Sequence, residues 1–126
     1  MEDTHARMDD NLATLAASLR VRDLDTAFDI YLEFDADLTG YVRGEERLLF
    51  PVLERFTSMP TTATRSMRSE HRSLRRLVDT LGELIARGDE RASLEAVSKI
   101  RSVLLLHVAK EEWVLMPLLR PMASAI

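Results

Sequence analysis

Apolar residues along this chain recur at steps of three and four, the spacing of one face of an α-helix. His5, Met8, Leu12, Leu15 and Leu19 form one stripe. Ala27, Tyr31, Phe34, Leu38, Tyr41, Glu45, Leu48 and Val52 form a second. Met67, His71, Leu74, Val78, Leu81 and Ile85 form a third, and Leu94, Val97, Ile100, Leu104, His107, Glu111, Val114 and Leu118 a fourth. No run of β-branched residues alternates as a strand would. Asp23 is placed to cap the second stripe, Thr57 to Thr62 is a turn with helix-start residues, and Arg87-Gly88-Asp89 pairs a glycine stop with a new start. The pattern predicts helices over about 4–20, 24–56, 62–87 and 90–119. Short connections make neighbours antiparallel, so the expected fold is all-α, an up-down-up-down four-helix bundle.

The bundle reads as two repeated αα-hairpins. Tyr41 to Leu53 aligns with His107 to Leu119 at an offset of 66, and the same offset carries His5 onto His71 and Leu15 onto Leu81. Pro51 and Pro117 fall at matching places in helices two and four. A proline there is expected to kink each helix or end its regular part.

Composition narrows the class. The chain has 126 residues, 46% hydrophobic and 30% charged, which suits a single domain over 1–126 with its own core. The longest wholly apolar run, Val103 to Leu106, falls far short of the roughly 20 residues of a membrane span. No charged and then apolar leader opens the chain. Cysteine is absent, which removes disulfides, thiolate metal sites and Cys nucleophiles and is compatible with the cytoplasm. Acidic and basic residues are interspersed around a net charge of −4, so neither nucleic acid nor membrane is an expected partner. The sequence leaves the oligomeric state open.

Polar residues stand where the core should be. All three histidines lie on the apolar stripes, together with Glu45 and Glu111. Taken singly, each reads as a hydrogen-bonded core or rim residue. Taken together they do not, because His107 and Glu111 stack at i and i+4, as do Tyr41 and Glu45 in the other hairpin. His5 precedes Tyr41 by 36 residues and His71 precedes His107 by 36, which brings each pair level across its hairpin. Six side chains therefore converge on one layer. Burying two carboxylates there is costly without compensating positive charge. A pair of cations supplies it, and imidazole with carboxylate suits iron, manganese or zinc.

This constellation resembles the hemerythrin-like HHE domain family, whose members are four-helix bundles holding a non-haem di-iron centre. The matching residues are His5 on helix one, Glu45 leading into Leu49-Phe50-Pro51, Glu70-His71 with Leu74, and His107 and Glu111 leading into Leu115-Met116-Pro117. The resemblance spans nearly the whole chain. It implies two iron ions, oxo- or hydroxo-bridged and ferric as isolated, with manganese or zinc as substitutes, held by His5, Tyr41, Glu45, His71, His107 and Glu111. The chain departs from the family pattern in three respects. The first histidine of helix two is Tyr41, and phenolate is a good ligand for Fe(III), so Tyr41 is expected to take the histidine's place; otherwise it is a core tyrosine beside a site one ligand short. Arg75 stands where oxygen-carrying members have a second histidine on helix three. His5 lies in the first turn of its helix.

With this ligand set about two coordination positions stay open. The function the resemblance implies is redox chemistry on a small molecule, namely peroxide or nitric oxide in a peroxidase- or catalase-like manner. The alternative is a protein that binds or senses oxygen, iron or redox state without turnover. A ferritin-type oxidase would want Glu-x-x-His on its core faces, and the sole such spacing is Glu2 to His5. Around the site, Glu46 and Glu112 read as solvated rim residues, or as bridging carboxylates if the helical phase is shifted by one residue, and Asp37 as a neighbour of Tyr41 or a surface residue. Gly40 and Gly44 would open an access path, and Met8, Phe34, Phe50 and Trp113 read as core packing.

Overall fold

The structure, a computed structural model, describes residues 2–57 and 61–118. Its elements are α1 (Glu2–Arg20), α2 (Leu24–Gly44), a π-helical turn π1 (Glu45–Leu49), α3 (Phe50–Phe56), α4 (Thr61–Ala86), α5 (Glu90–Lys110) and a second π-turn π2 (Glu111–Leu115). α2, π1 and α3 run on as one rod, as do α5 and π2, so four rods form an all-α four-helix bundle. α1 packs against α2 and α5, and α4 against α5 and α2. Among the described residues there is no strand. The tips of the turn at 58–60 and of helix four at 119 lie outside the described residues.

Local chemistry sets the rod ends. Asp23 accepts from the Thr26 backbone N–H at 3.2 Å, and Asp89 from that of Ala92 at 3.1 Å, each satisfying an orphan donor of a first turn. Gly88, at φ +73°, closes α4: its N–H donates to the Ile85 carbonyl and that of Asp89 to the Leu84 carbonyl. Arg22 closes α1 in the same way at φ 57°, with Asp23 N–H donating to the Ser18 carbonyl. Arg22 and Gly88 are equivalent in the repeat, so one conformation is carried once by glycine and once at a steric cost.

The two prolines neither end nor interrupt their rods. In α geometry Pro51 would offer no N–H to the Arg47 carbonyl, and its ring would press on that carbonyl. The chain widens instead: Phe50 N–H reaches back to the Glu45 carbonyl and Met116 N–H to the Glu111 carbonyl, each across five residues. The extra residue shifts the buried face. Leu48 and Val114, expected inside, are 70% and 54% exposed, while Phe50, Leu53 and Leu115 are buried. Trp113, read as core packing, is 80% exposed for the same reason.

The core has two parts. The larger includes Met8, Leu12, Leu15, Leu19, Phe34, Leu38, Leu74, Val78, Leu81, Ile100 and Leu104 from all four rods. The smaller is Phe50, Leu53, Met67 and Leu115. Within the larger part Tyr31 donates to the Val78 carbonyl at 3.0 Å. It lies so close to Gly82 that a Cβ there would stand 2.5 Å from its hydroxyl. Along the rods, the polar layer falls between the two parts.

Candidate metal centre

Each π-turn begins at one of the two glutamates that sequence places on the core stripe, Glu45 and Glu111. Both are buried, 2% and 1% exposed, as are His71, His107 and Tyr41. His5, in the first turn of α1, is half-buried. The structure brings all six residues into one layer, arranged in two lobes.

In the first lobe, His71 Nε2 and His107 Nε2 lie 2.7 Å and 2.9 Å from the same atom, Glu45 Oε1, and 3.2 Å from each other. Glu45, His71 and His107 thus each place a donor atom within 4.8 Å of the others, a group able to hold a metal ion. In the second lobe the Tyr41 hydroxyl donates to Glu111 Oε1, and His5 Nε2 lies 3.4 Å from Glu111 Oε2. The His5 and Tyr41 rings meet edge-on at 4.9 Å. His107 Nε2, 3.5 Å from Glu111 Oε1, joins the lobes.

His71 is aimed from behind, whereas His107 Nδ1 has no hydrogen-bond partner. His71 Nδ1 lies 2.6 Å from Glu46 Oε2 and His71 Nε2 faces Glu45, so the protonated ring of the metal-free protein donates to both, and an Nδ1–H kept on Glu46 would leave the Nε2 lone pair free for a cation. Phe50 stacks on the same ring at 5.5 Å. Behind His107, Nδ1 is 3.7 Å from Glu70 Oε2, and Lys110 donates to Glu70 Oε1 at 2.6 Å. Glu46 is therefore a partner of His71 rather than a solvated rim residue, whereas Glu112, its repeat equivalent, is exposed. No spacing signal marks Glu46, which lies one residue off the core stripe.

Electrostatics follow from this packing. Burial alone would raise the Glu45 pKa, but hydrogen bonds from His107 and His71 outweigh it and hold the carboxyl below its ordinary range. Burial likewise opposes the His71 cation, yet Glu45 and Glu46 outweigh it and lift the pKa above the ordinary value. For Tyr41, burial first and then the negative charge of Glu45 push the pKa well upward.

The donor set fits cations. Glu45 Oε2 and Glu111 Oε2 are buried without a hydrogen-bond partner, which a coordinating ion would supply. Residues at the edge contribute differently. Arg75, one turn from His71, is held by Asp35 at 2.5 Å and Asp79 at 2.9 Å. Asp37 pairs with Arg7 at 2.9 Å on the surface. Met8 and Phe34 pack as expected, with no exposure.

No match was found among curated proteins or among solved structures. The model of the hemerythrin HHE cation-binding domain matches residues 1–119. With the match covering nearly the full length, and buried imidazoles and carboxylates gathered in one layer, the chain belongs to the hemerythrin HHE cation-binding family.

Proposed function

We propose that His5, Tyr41, Glu45, His71, His107 and Glu111 hold two iron ions joined by an oxo or hydroxo bridge, and that the protein acts on peroxide or nitric oxide in the cytoplasm. The observation that carries this reading is the buried Tyr41 hydroxyl on Glu111, at the repeat position where His107 stands in the other hairpin. Bound iron would supply Lewis acidity and one-electron redox steps toward a small oxidant.

The chain's own residues set the conditions. Tyr41 keeps its proton in the metal-free protein, because burial and the Glu45 charge disfavour the phenolate. Its deprotonation therefore needs a cation. Once formed, a hard anionic phenolate favours Fe(III) over Fe(II), which turns the site away from reversible O2 carriage. Glu45 and Glu111 each have one engaged and one unpartnered oxygen, the arrangement a bridging carboxylate needs. Glu46 fixes the His71 tautomer. Arg75, tied to Asp35 and Asp79, adds no donor where the oxygen carriers have a histidine, and so favours open coordination positions. Met8, Phe34 and Phe50 are fully buried and supply apolar packing around the layer.

The test is metal content with the optical spectrum of the same sample, followed by stopped-flow consumption of peroxide and of nitric oxide. About two irons per chain, with a visible phenolate-to-Fe(III) band lost in Tyr41→Phe, is the expected result. Folded protein that takes up no metal after anaerobic Fe(II) loading would overturn the di-iron reading. Loaded protein that consumes neither substrate would overturn turnover and leave a binding or sensing protein.

A further inference from the structure

His107 and Glu70 face each other across neighbouring rods, and each turns an unsatisfied atom toward the other. His107 has no exposed surface, and its Nδ1 has no hydrogen-bond partner. Glu70 Oε2 is buried and equally without a hydrogen bond. The two atoms lie 3.7 Å apart. That is about 0.8 Å beyond an ordinary N–H···O hydrogen bond of roughly 2.9 Å. The other carboxylate oxygen, Glu70 Oε1, accepts from Lys110 at 2.6 Å. Lys110 stands on the same rod as His107, so it ties Glu70 to the rod that carries the ring. A surface ion pair with Lys110 accounts for Oε1 but leaves Oε2 buried with nothing to accept.

The internal repeat supplies an independent comparison. The offset of 66 carries Thr4 onto Glu70, Tyr41 onto His107 and Gly44 onto Lys110. Thr4, Tyr41 and Gly44 line one cavity together, so the equivalence holds in space as well as in sequence. The phenol of Tyr41 has one polar atom, and it is donated to Glu111. No second ring atom needs an acceptor, and the chain places a threonine and a glycine there. An imidazole has two nitrogens, and an ion on Nε2 leaves the proton of the neutral ring on Nδ1. Where the ring is His107, the chain places a carboxylate and a lysine that holds it. His71 already has the corresponding contact, with Glu46 Oε2 2.6 Å from its Nδ1.

We propose that Glu70 is the positioning residue of His107: with a cation on Nε2, Glu70 Oε2 accepts the Nδ1–H, and Lys110 holds the carboxylate in place. Such a hydrogen bond sets both the tautomer and the orientation of a ligating ring. The inference deepens the reading above by adding Glu70 and Lys110 to its site. It rests on that reading only for a cation at His107, whatever the metal.

The test loads purified protein, labelled with 15N-histidine, with Zn(II). Imidazole nitrogens and their protons are followed by NMR, and affinity comes from competition with a coloured chelator. Three histidines keep the spectrum assignable. The parent is expected to show a slowly exchanging Nδ1–H signal from His107 beside that of His71. In Glu70→Ala the His107 signal is lost, the His71 signal stays, and Zn(II) affinity falls about 10–100-fold. Glu70→Gln keeps a neutral acceptor, so the signal stays but moves upfield and the affinity falls by less; it carries the comparison if Glu70→Ala fails to fold. A His107 Nδ1–H signal that persists in Glu70→Ala, or an unmoved signal with unchanged affinity in Glu70→Gln, overturns the proposal and leaves the metal site standing. The expected Zn(II) result in protein that consumes neither peroxide nor nitric oxide when loaded with iron overturns the redox reading and upholds Glu70. Folded parent protein that binds no Zn(II) overturns both.

Discussion

Replacing Glu46 by Gln isolates the charge behind His71. The Glu46 carboxylate lies 2.6 Å from His71 Nδ1, and its side chain is 36% exposed. Gln keeps an acceptor of the same shape, so what is lost is the difference between a charge-assisted and a neutral hydrogen bond, about 1 kcal/mol. That corresponds to a metal affinity about fivefold lower at 25 °C. Glu46→Ala removes the acceptor as well and releases the ring, so its loss falls in the roughly 10–100-fold range of outer-shell deletions. The assay is competition between the protein and a coloured chelator for Zn(II) or Co(II). Glu112→Gln is the internal control, because Glu112 holds the same repeat position but is exposed. It is expected to bind like the parent. Unchanged affinity in both Glu46 variants, or an equal loss in the Glu112 variant, would refute a positioning role for Glu46.

Three further outcomes are expected. Gly82→Ala should lower stability by about 1–3 kcal/mol in urea denaturation, because the new methyl meets the Tyr31 ring; Gly40→Ala should raise it by about 0.5–1 kcal/mol, and a stabilising Gly82→Ala would show that Tyr31 moves freely. Arg22→Gly should stabilise by about 0.5–1 kcal/mol by relieving a left-handed backbone, with little lost from the exposed pair to Glu90; unchanged or lower stability would mean that the strain is small. In the metal-free protein, His71 with a raised pKa contributes stability that is fully present below its ordinary 6.5 and lost as pH rises through the folded value. Glu45 with a lowered pKa contributes stability present above its ordinary 4.5 and lost as pH falls through the folded value. Their contributions are therefore jointly complete between those two ordinary values. The Tm should fall from that window toward pH 8, and a flat profile in His71→Gln would tie the fall to this ring.

The helices, their caps and the convergence of six polar side chains were legible because they depend on spacing. Asp23 and Asp89 cap as their positions require, and the interval of 36 residues does bring His71 level with His107. Beyond Glu45 and Glu111 the periodicity misled. A helical count there puts Leu48 and Val114 inside, and only the π-turn forced by each proline moves the buried face on to Phe50 and Leu115. Trp113 failed with them. Glu46 was hidden for another reason: a glutamate off the stripe looks the same whether it faces water or the back of a histidine on the next rod. The inequality of Glu46 and Glu112 breaks the repeat, and no pattern of residue types records it.

The unequal cores on either side of the polar layer have a dynamic consequence. The larger is built by all four rods, whereas Phe50, Leu53, Met67 and Leu115 come from three, since α1 begins at the layer itself. Without an ion, the small end is coupled to the rest by the three continuous rods and the hydrogen bonds of the layer, with no side chain of α1 packed into it among the described residues. Amide protons of α3 and π2 then exchange with solvent through openings that leave the large core intact. A cation gripped by Glu45, His71 and His107 spans the seam and turns two cooperative units into one. At a free ion concentration about a thousandfold above Kd, it suppresses those openings by about 4 kcal/mol. Hydrogen exchange at the proline ends of two rods thus reports whether the centre is filled, without any need to see the ion.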